Sequence, residues 1–325
     1  MKFCGVLNID KPVGLTSRDV VDRVVRLVRP AKAGHAGTLD PLATGVLVVC
    51  VGHATRLISL AQEGRKHYLG RFVLGQRSDT DDITGHVTVG GDWSGLTHDH
   101  LTALLPEFTG RIMQVPPQFS AVHVRGRRAY DLARRGETVV LDARQVEIFS
   151  LRVTQFQPPE FELEIECGSG TYIRSIGRDL GLRLGCGAMM TQLRRLAVGA
   201  FNVVDAVSPD KLTIETIGHF LQPALNVVSH FRQRSLTSDE VVAIRRGQSI
   251  AAESESNDLV ANDADASLTK PMDARTAFLG SDGQLLGMGE IDVQIRRLRP
   301  RIIFPDETMA GLGNETDGRC GNGST

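Results

Sequence analysis

The stretch Phe161-Glu-Leu-Glu-Ile-Glu-Cys-Gly-Ser-Gly170 decides the fold class. From Phe161 to Cys167 apolar and acidic side chains alternate, the period-2 pattern of a strand with one dry face and one wet face. Gly168-Ser-Gly170 then turns the chain, and Ile173, Ile176, Leu180 and Leu184 recur at the spacing of a helix stripe. The same mixture extends on both sides. Val46-Leu-Val-Val-Cys-Val51 is a continuous apolar run that suits a strand buried on both faces, and Gly5-Val-Leu-Asn-Ile9 is a shorter one. Residues 67–75 alternate and form a strand carrying Tyr68. Thr16 or Ser17 caps a helix in which Val20, Val21, Val24, Val25 and Val28 recur, and Pro30 ends it. Thr97 caps another, with Leu101, Leu104, Leu105 and Phe108 on one face. Strands and helices mix without a regular βαβ repeat, so the expected class is α+β with a largely antiparallel mixed sheet.

With 325 residues, the chain has room for one large domain and a smaller one. Toward the C-terminus, Thr237-Ser-Asp-Glu240 is a capping box that opens a short helix stopping at Gly247. Strand-like segments at 277–279, 285–289 and 301–304, split by Gly280-Ser-Asp-Gly283, suit a small β-barrel. The expected division is a catalytic unit over 1–234 and a β-rich unit over 235–305. A flexible acidic insert is expected at 251–270 and a disordered tail at 306–325.

No apolar stretch reaches the ~18 residues a membrane helix needs. The N-terminus meets Asp10 too early for a signal peptide. Cysteines 4, 50, 167, 186 and 320 are widely spaced and form no CxxC pair, so neither disulfides nor zinc is expected, and a cytoplasmic location fits. The net charge of −1 argues against a nucleic-acid partner, but the mean hides segregation. Arginines gather at 125, 127, 128, 134 and 135 and again at 174, 178, 183, 194 and 195, while Glu253, Glu255, Asp258, Asp263 and Asp265 lie elsewhere. A locally basic surface collects phosphates even on a neutral chain; a plain solvated face is the competing reading.

One aperiodic run carries chemistry: Gly34-His-Ala-Gly-Thr-Leu-Asp-Pro-Leu-Ala-Thr-Gly45 reads as a loop. Pro41 pushes Asp40 into extended or turn geometry. The run lacks the spacing of a phosphate-binding P-loop, and His35 with Asp40 lacks further ligands at metal-like spacing. By spacing alone, Asp40 reads as a turn residue. The whole run through Leu47, however, closely resembles the active-site motif of the TruB family, bacterial tRNA pseudouridine-55 synthases. Other segments resemble the family's motifs in the same order: residues 5–17, Lys66-His-Tyr68, Leu74-Gly-Gln-Arg-Ser-Asp-Thr80, Gly168-Ser-Gly-Thr-Tyr-Ile-Arg174, Leu184-Gly-Cys-Gly-Ala188, Leu193-Arg-Arg-Leu196 and Gly287-Met-Gly-Glu290. The resemblance spans roughly residues 3–305, the acidic insert excepted.

It implies a pseudouridine-synthase fold with an RNA-clamping insertion at about 117–146 and a small C-terminal PUA-like barrel. It implies isomerisation of uridine 55 in the tRNA T-loop after base flipping, without metal or cofactor. Asp40 matches the nucleophile, which adds to ribose C1′ or uracil C6. Arg174 matches the arginine that pairs with that carboxylate through a forked hydrogen bond, and Tyr68 the tyrosine that stacks on the base and handles the C5 proton. His35 matches a residue filling the space of the flipped nucleotide. Tyr172 and Leu193 match uracil-pocket residues, and Lys66 belongs to the Lys-x-Tyr element. Lys11 is assigned to holding the active-site loop or reaching phosphate, and Arg125, Arg127 and Arg128 to the RNA clamp. The implied partner is the T-arm stem-loop of tRNA, bound by a monomer without an obligate protein partner or membrane. Phe119 and His123 depart from the family's usual tyrosine and lysine, at positions expected to affect RNA contacts rather than chemistry. A tRNA-binding folding chaperone is the alternative, which leaves the intact set Asp40, Tyr68 and Arg174 without a purpose.

Overall fold

The computed structural model describes residues 3–120, 123–124, 127–128, 140–252 and 274–305, the four residues of 123–124 and 127–128 by their backbone alone. Strand β1 (Gly5–Lys11) leads into α1 (Ser17–Val28), where Thr16, one of the two expected caps, opens the helix in a capping box: Thr16 Oγ1 accepts from Asp19 N and Asp19 Oδ2 accepts from Thr16 N. There follow β2 (Ala33–His35), β3 (Thr44–Val51), α2 (Ile58–Glu63) and β4 (Lys66–Leu74). The small pair β5 (Gln76–Ser78) and β6 (Val87–Val89) precedes α3 (His98–Leu104) and β7 (Gly110–Gln114). Then come β8 (His123–Val124), β9 (Arg127–Arg128), β10 (Arg144–Gln157), β11 (Glu160–Cys167), α4 (Ile173–Arg183), β12 (Ala188–Val198) and β13 (Phe201–Asn202). The last part holds β14 (Arg232–Ser235), α5 (Ser238–Arg245), β15 (Ile250–Ala251), β16 (Arg275–Leu279), β17 (Leu285–Asp292) and β18 (Arg297–Ile303).

The large sheet runs β1-β3-β12-β4-β11-β10-β7, with β2 added to β3 and β13 to β12. Every pairing is antiparallel except β3 with β12, so the sheet is mixed and largely antiparallel, as the alternation around residue 161 requires. Helix α4 lies on the dry face of this sheet and buries Ile173, Ile176 and Leu180 against Phe72 and Phe161, whose rings stack with centroids 5.2 Å apart. Gly177 makes that approach possible, because a Cβ there would lie 2.2 Å from the Phe72 ring. Strand β3 is apolar throughout because both of its faces are covered. Leu47, Val49 and Val51 join α1, while Val46, Val48 and Cys50 join a second core shared with Ala277, Leu285 and Met288 of the C-terminal sheet.

One edge of β3 is divided between two neighbours, and this division positions the site. β12 pairs with it only at Thr44 and Gly45, and β2 only at Val49, Cys50 and Val51. In the gap, the carbonyl of Val48 accepts from Ala36 N at 2.8 Å and that of Val46 from Arg195 Nε at 2.7 Å. The chain from 36 to 43 leaves the sheet there. The run from 34 to 45 is therefore not loop throughout. Gly34 and His35 belong to β2, a three-residue strand too short to display a period.

The C-terminal sheet runs β14-β16-β17-β18-β15, with α5 packed beside it and β14 and β15 at its two edges. The expected boundary between 234 and 235 falls inside β14, which pairs with β16. Ala251, expected to begin the flexible insert, ends β15. The rest of that insert from 253, the tail from 306, and Arg125, Arg134 and Arg135 of the basic insertion lie outside the described residues. Cys4, Cys50, Cys167 and Cys186 are free thiols. Among the described residues no helix is long and apolar enough to cross a membrane.

Candidate active site

The loop that carries Asp40 is held at several points. Ser17 Oγ, at the first turn of α1, accepts from Leu39 N at 2.8 Å and donates to Leu39 O at 3.0 Å. Gly14 N donates to Pro41 O at 2.8 Å, and Ala43 N closes a turn onto Asp40 O at 3.0 Å. Lys11, at the end of β1, donates to Leu15 O at 2.7 Å, Pro12 O at 2.9 Å and Pro41 O at 3.5 Å. Its side chain is fully buried, and burial pulls its ammonium down to about 8. Of the two expected roles, holding the loop or reaching phosphate, these contacts with loop carbonyls fit the first.

Asp40 itself is accessible, its side chain 37% exposed, and Arg174 Nε lies 3.0 Å from its Oδ2. Arg174 projects from the first turn of α4, which begins at a tyrosine without a capping side chain. Gln114 supplies what the cap lacks: its Oε1 accepts from Tyr172 N at 2.8 Å and its Nε2 donates to Tyr172 O at 3.1 Å. The guanidinium is not a fork dedicated to Asp40. Nη1 donates to Thr80 O at 2.7 Å and stands 3.5 Å from Asp82 Oδ2, and Nη2 donates to Phe119 O at 3.2 Å. Asp82 is buried and accepts from Thr80 Oγ1 and Thr84 N.

Asp40 and Arg174 border a cavity of about 330 Å³ that Lys66, Tyr68, Tyr172 and Leu193 also line. Six of the sequence-derived residues thus come together from one loop, two strands and one helix start. Lys66 donates to Ser169 Oγ at 2.7 Å and to Gln62 O, and burial lowers its ammonium to about 8. Burial pushes the phenols of Tyr68 and Tyr172 up. His35 stands apart, half-buried on β2 and absent from the cavity wall, with Nδ1 buried and unpartnered among the described residues. Burial and the charges of Arg195 and Arg18 lower its pKa, which favours the neutral ring. Arg127 and Arg128 form β9, paired with β8, while Arg125 is not among the described residues.

Sequence reasoning missed Arg195. It was grouped with a basic surface, yet it is 1% exposed and lines the cavity. It faces Tyr68 across β4 and β12 and donates through Nη2 to Gly37 O at 3.1 Å. The other members of that arginine cluster are neutralised by acids: Arg178 by Asp81 and Asp179, Arg183 by Glu107, and Arg194 by Asp10. The cluster at 174–195 is therefore no basic face. Phe119 was expected to concern RNA contacts alone; it borders the cavity and its carbonyl anchors Arg174. Among the described residues no group of three or more His, Cys, Asp or Glu is arranged to hold a metal ion.

Two family profiles together cover residues 25–221. Residues 25–173 match the TruB family pseudouridylate synthase N-terminal domain, and residues 174–221 match a tRNA pseudouridylate synthase B C-terminal domain. A tRNA pseudouridine synthase B of Microcystis aeruginosa is 37% identical over 92% of this chain and 99% of its own. The chain belongs to the TruB family of pseudouridylate synthases. A TruB relative from Geobacter sulfurreducens is 42% identical over 75% of this chain and 81% of its own, and one from Synechococcus elongatus 39% over 92% and 98%. Both bear the name tRNA pseudouridine synthase B. The fold of this TruB enzyme also aligns with a chain in an H/ACA ribonucleoprotein bound to a substrate RNA containing 2′-deoxyuridine. There the TM-score is 0.67 at 22% identity, with 93% of this chain and 85% of that one covered.

Proposed function

We propose that this TruB-family enzyme converts uridine 55 of the tRNA T-loop to pseudouridine, with Asp40 as the nucleophile. The names of its relatives support tRNA as the substrate. The observation that carries the mechanism is the accessible Asp40 carboxylate, 3.0 Å from Arg174 at the wall of a cavity floored by Tyr68. The target base flips out of the loop into that cavity, since its reacting atoms are inaccessible inside the fold of the RNA. Asp40 adds to ribose C1′ or uracil C6, the N1–C1′ bond breaks, the ring turns, C5–C1′ forms, the bond to Asp40 breaks to free the carboxylate, and C5 loses its proton while N1 gains one. Arg174 orients the carboxylate. Tyr68 stacks on the ring and handles the C5 proton, its neutral phenol passing it on to water rather than keeping it. Tyr172 and Leu193 shape the uracil pocket, Lys66 secures its rim, and His35 fills the place of the flipped nucleotide.

The segment about 117–146, with Arg125, Arg127 and Arg128, clamps the stem-loop, and the unit from Arg232 to 305 is PUA-like. The pairing of β14 with β16 supports a boundary just before Arg232. The enzyme works as a cytoplasmic monomer on tRNA. Release of tritium from RNA labelled at uracil C5 tests the assignment. Asp40→Asn is expected to lose that release by about 10³-fold or more while still binding RNA. Wild-type release in this variant would overturn Asp40 as nucleophile.

A further inference from the structure

A second cavity, of about 420 Å³, lies where α1 ends and β3 gives way to the turn at Gly52. Phe3, Val28, Pro30 and Ala31 supply apolar wall; Cys4, Lys32, His53 and Arg56 supply its titratable groups, and no carboxylate lines it. Its cations differ from those of the 174–195 cluster. Lys32 and Arg56, which line the cavity, and Arg26 and Arg29 at the end of α1 outside its wall, are all exposed, and among the described residues none has a carboxylate within 4.0 Å. Arg26 and Arg29 also complement the negative end of the α1 dipole, which accounts for part of the pattern. Lys32 and Arg56 lie beyond the helix and need another account. Arg56 Nη1 donates to Ile303 O at 2.7 Å, which holds this cation at the cavity. Uncompensated cations gathered on a chain of net charge −1 repel one another, and a phosphate relieves that repulsion.

An aromatic and a proline beside unpaired cations make a stacking wall with a backbone site, the pattern that holds single-stranded nucleotides. The cavity is remote from the chemistry. β3 runs from Thr44, next to the Asp40 loop, to Val51, next to this cavity, a span of roughly 25 Å at about 3.3 Å per residue. We propose that this cavity binds a splayed nucleotide of the RNA substrate outside the target stem-loop, its base against Phe3 and Pro30 and its phosphate between Lys32 and Arg56. The proposal rests on the reading that tRNA is the substrate.

The test compares a full-length tRNA transcript with its isolated T-arm stem-loop. With Lys32→Ala/Arg56→Ala, KM for the transcript should rise about ten-fold and the salt dependence of its binding should flatten by about one unit per lost phosphate contact. kcat, and both constants for the stem-loop, should stay at wild-type values. Phe3→Ala should weaken binding of the transcript without changing the salt slope, and Lys32→Glu should deepen the loss. An unchanged KM and salt slope for the transcript, or equal weakening of the stem-loop, overturns the proposal. Should the wild type modify neither RNA, the substrate reading fails instead, and the salt slope of transcript binding still tests the cavity.

Discussion

Arg174 meets Asp40, Asp82, Thr80 O and Phe119 O at once, and only a planar guanidinium has donors in the directions these require. A lysine there keeps the charge but not the geometry. Arg174→Lys should therefore lower kcat by about 10²-fold or more, with a smaller change in KM, because the orientation of Asp40 is lost rather than the binding of RNA. Single-turnover kinetics on a labelled stem-loop would show this, and a variant with wild-type kcat would refute it. At this scale the sequence was informative where a motif names a residue, as with Asp40, Tyr68 and Arg174. It was misleading where burial decides the role. Lys11 and Arg195 are long charged side chains that composition assigns to a surface, yet both are enclosed and satisfied by backbone carbonyls.

At the scale of elements, the gap beside β3 does the positioning. Gly45 stands where β12 meets β3, with φ of +100°, and a Cβ there would lie 2.1 Å from Arg195 O. Gly45→Ala should cost about 2–3 kcal/mol, combining the strained backbone with the clash, as urea unfolding would measure. An unchanged midpoint would show that the two strands separate more easily than their packing implies. Periodicity exposed the long elements, β3, β11, α1 and α4, because each presents several turns or alternations to one environment. It could not expose β2, nor the parallel contact of β12 with β3, which joins residues some 150 positions apart.

Across the whole molecule, ion pairs tie distant segments together. Arg178 on α4 meets Asp81 from the turn after β5 at 2.9 Å and donates to Val115 O. Burial pushes the Asp81 carboxyl up to about 6, against the opposing charges of Arg178 and Arg174. Because that folded pKa exceeds the unfolded value near 4, the folded protein holds a proton that the unfolded chain releases in between. The resulting stability is fully present below about pH 4 and lost as pH rises through about 6. Relative to Asp81→Asn, the wild type should thus lose about 2–3 kcal/mol between pH 4 and 7. Parallel urea curves for the two proteins would contradict this. On the other side of the sheet, Arg275 binds Glu63 at 2.7 Å and covers the Phe231 ring at 4.5 Å, so the C-terminal sheet shares a core with the large one.

The sequence by itself determined the α+β class, the long strands and helices, and the family motif in the run from 34 to 45. Those follow from local order: side-chain period, caps, turns and a motif read in one stretch. Only the tertiary structure decided which charges are surface and which are buried. It turned one arginine cluster into ion pairs and brought Arg195 to Tyr68. It also placed Lys32 and Arg56, 24 positions apart in the chain, on the wall of one cavity. The reason is physical: desolvation and Coulomb pairing depend on distance in space, and neighbours across a sheet leave no trace in the spacing along the chain.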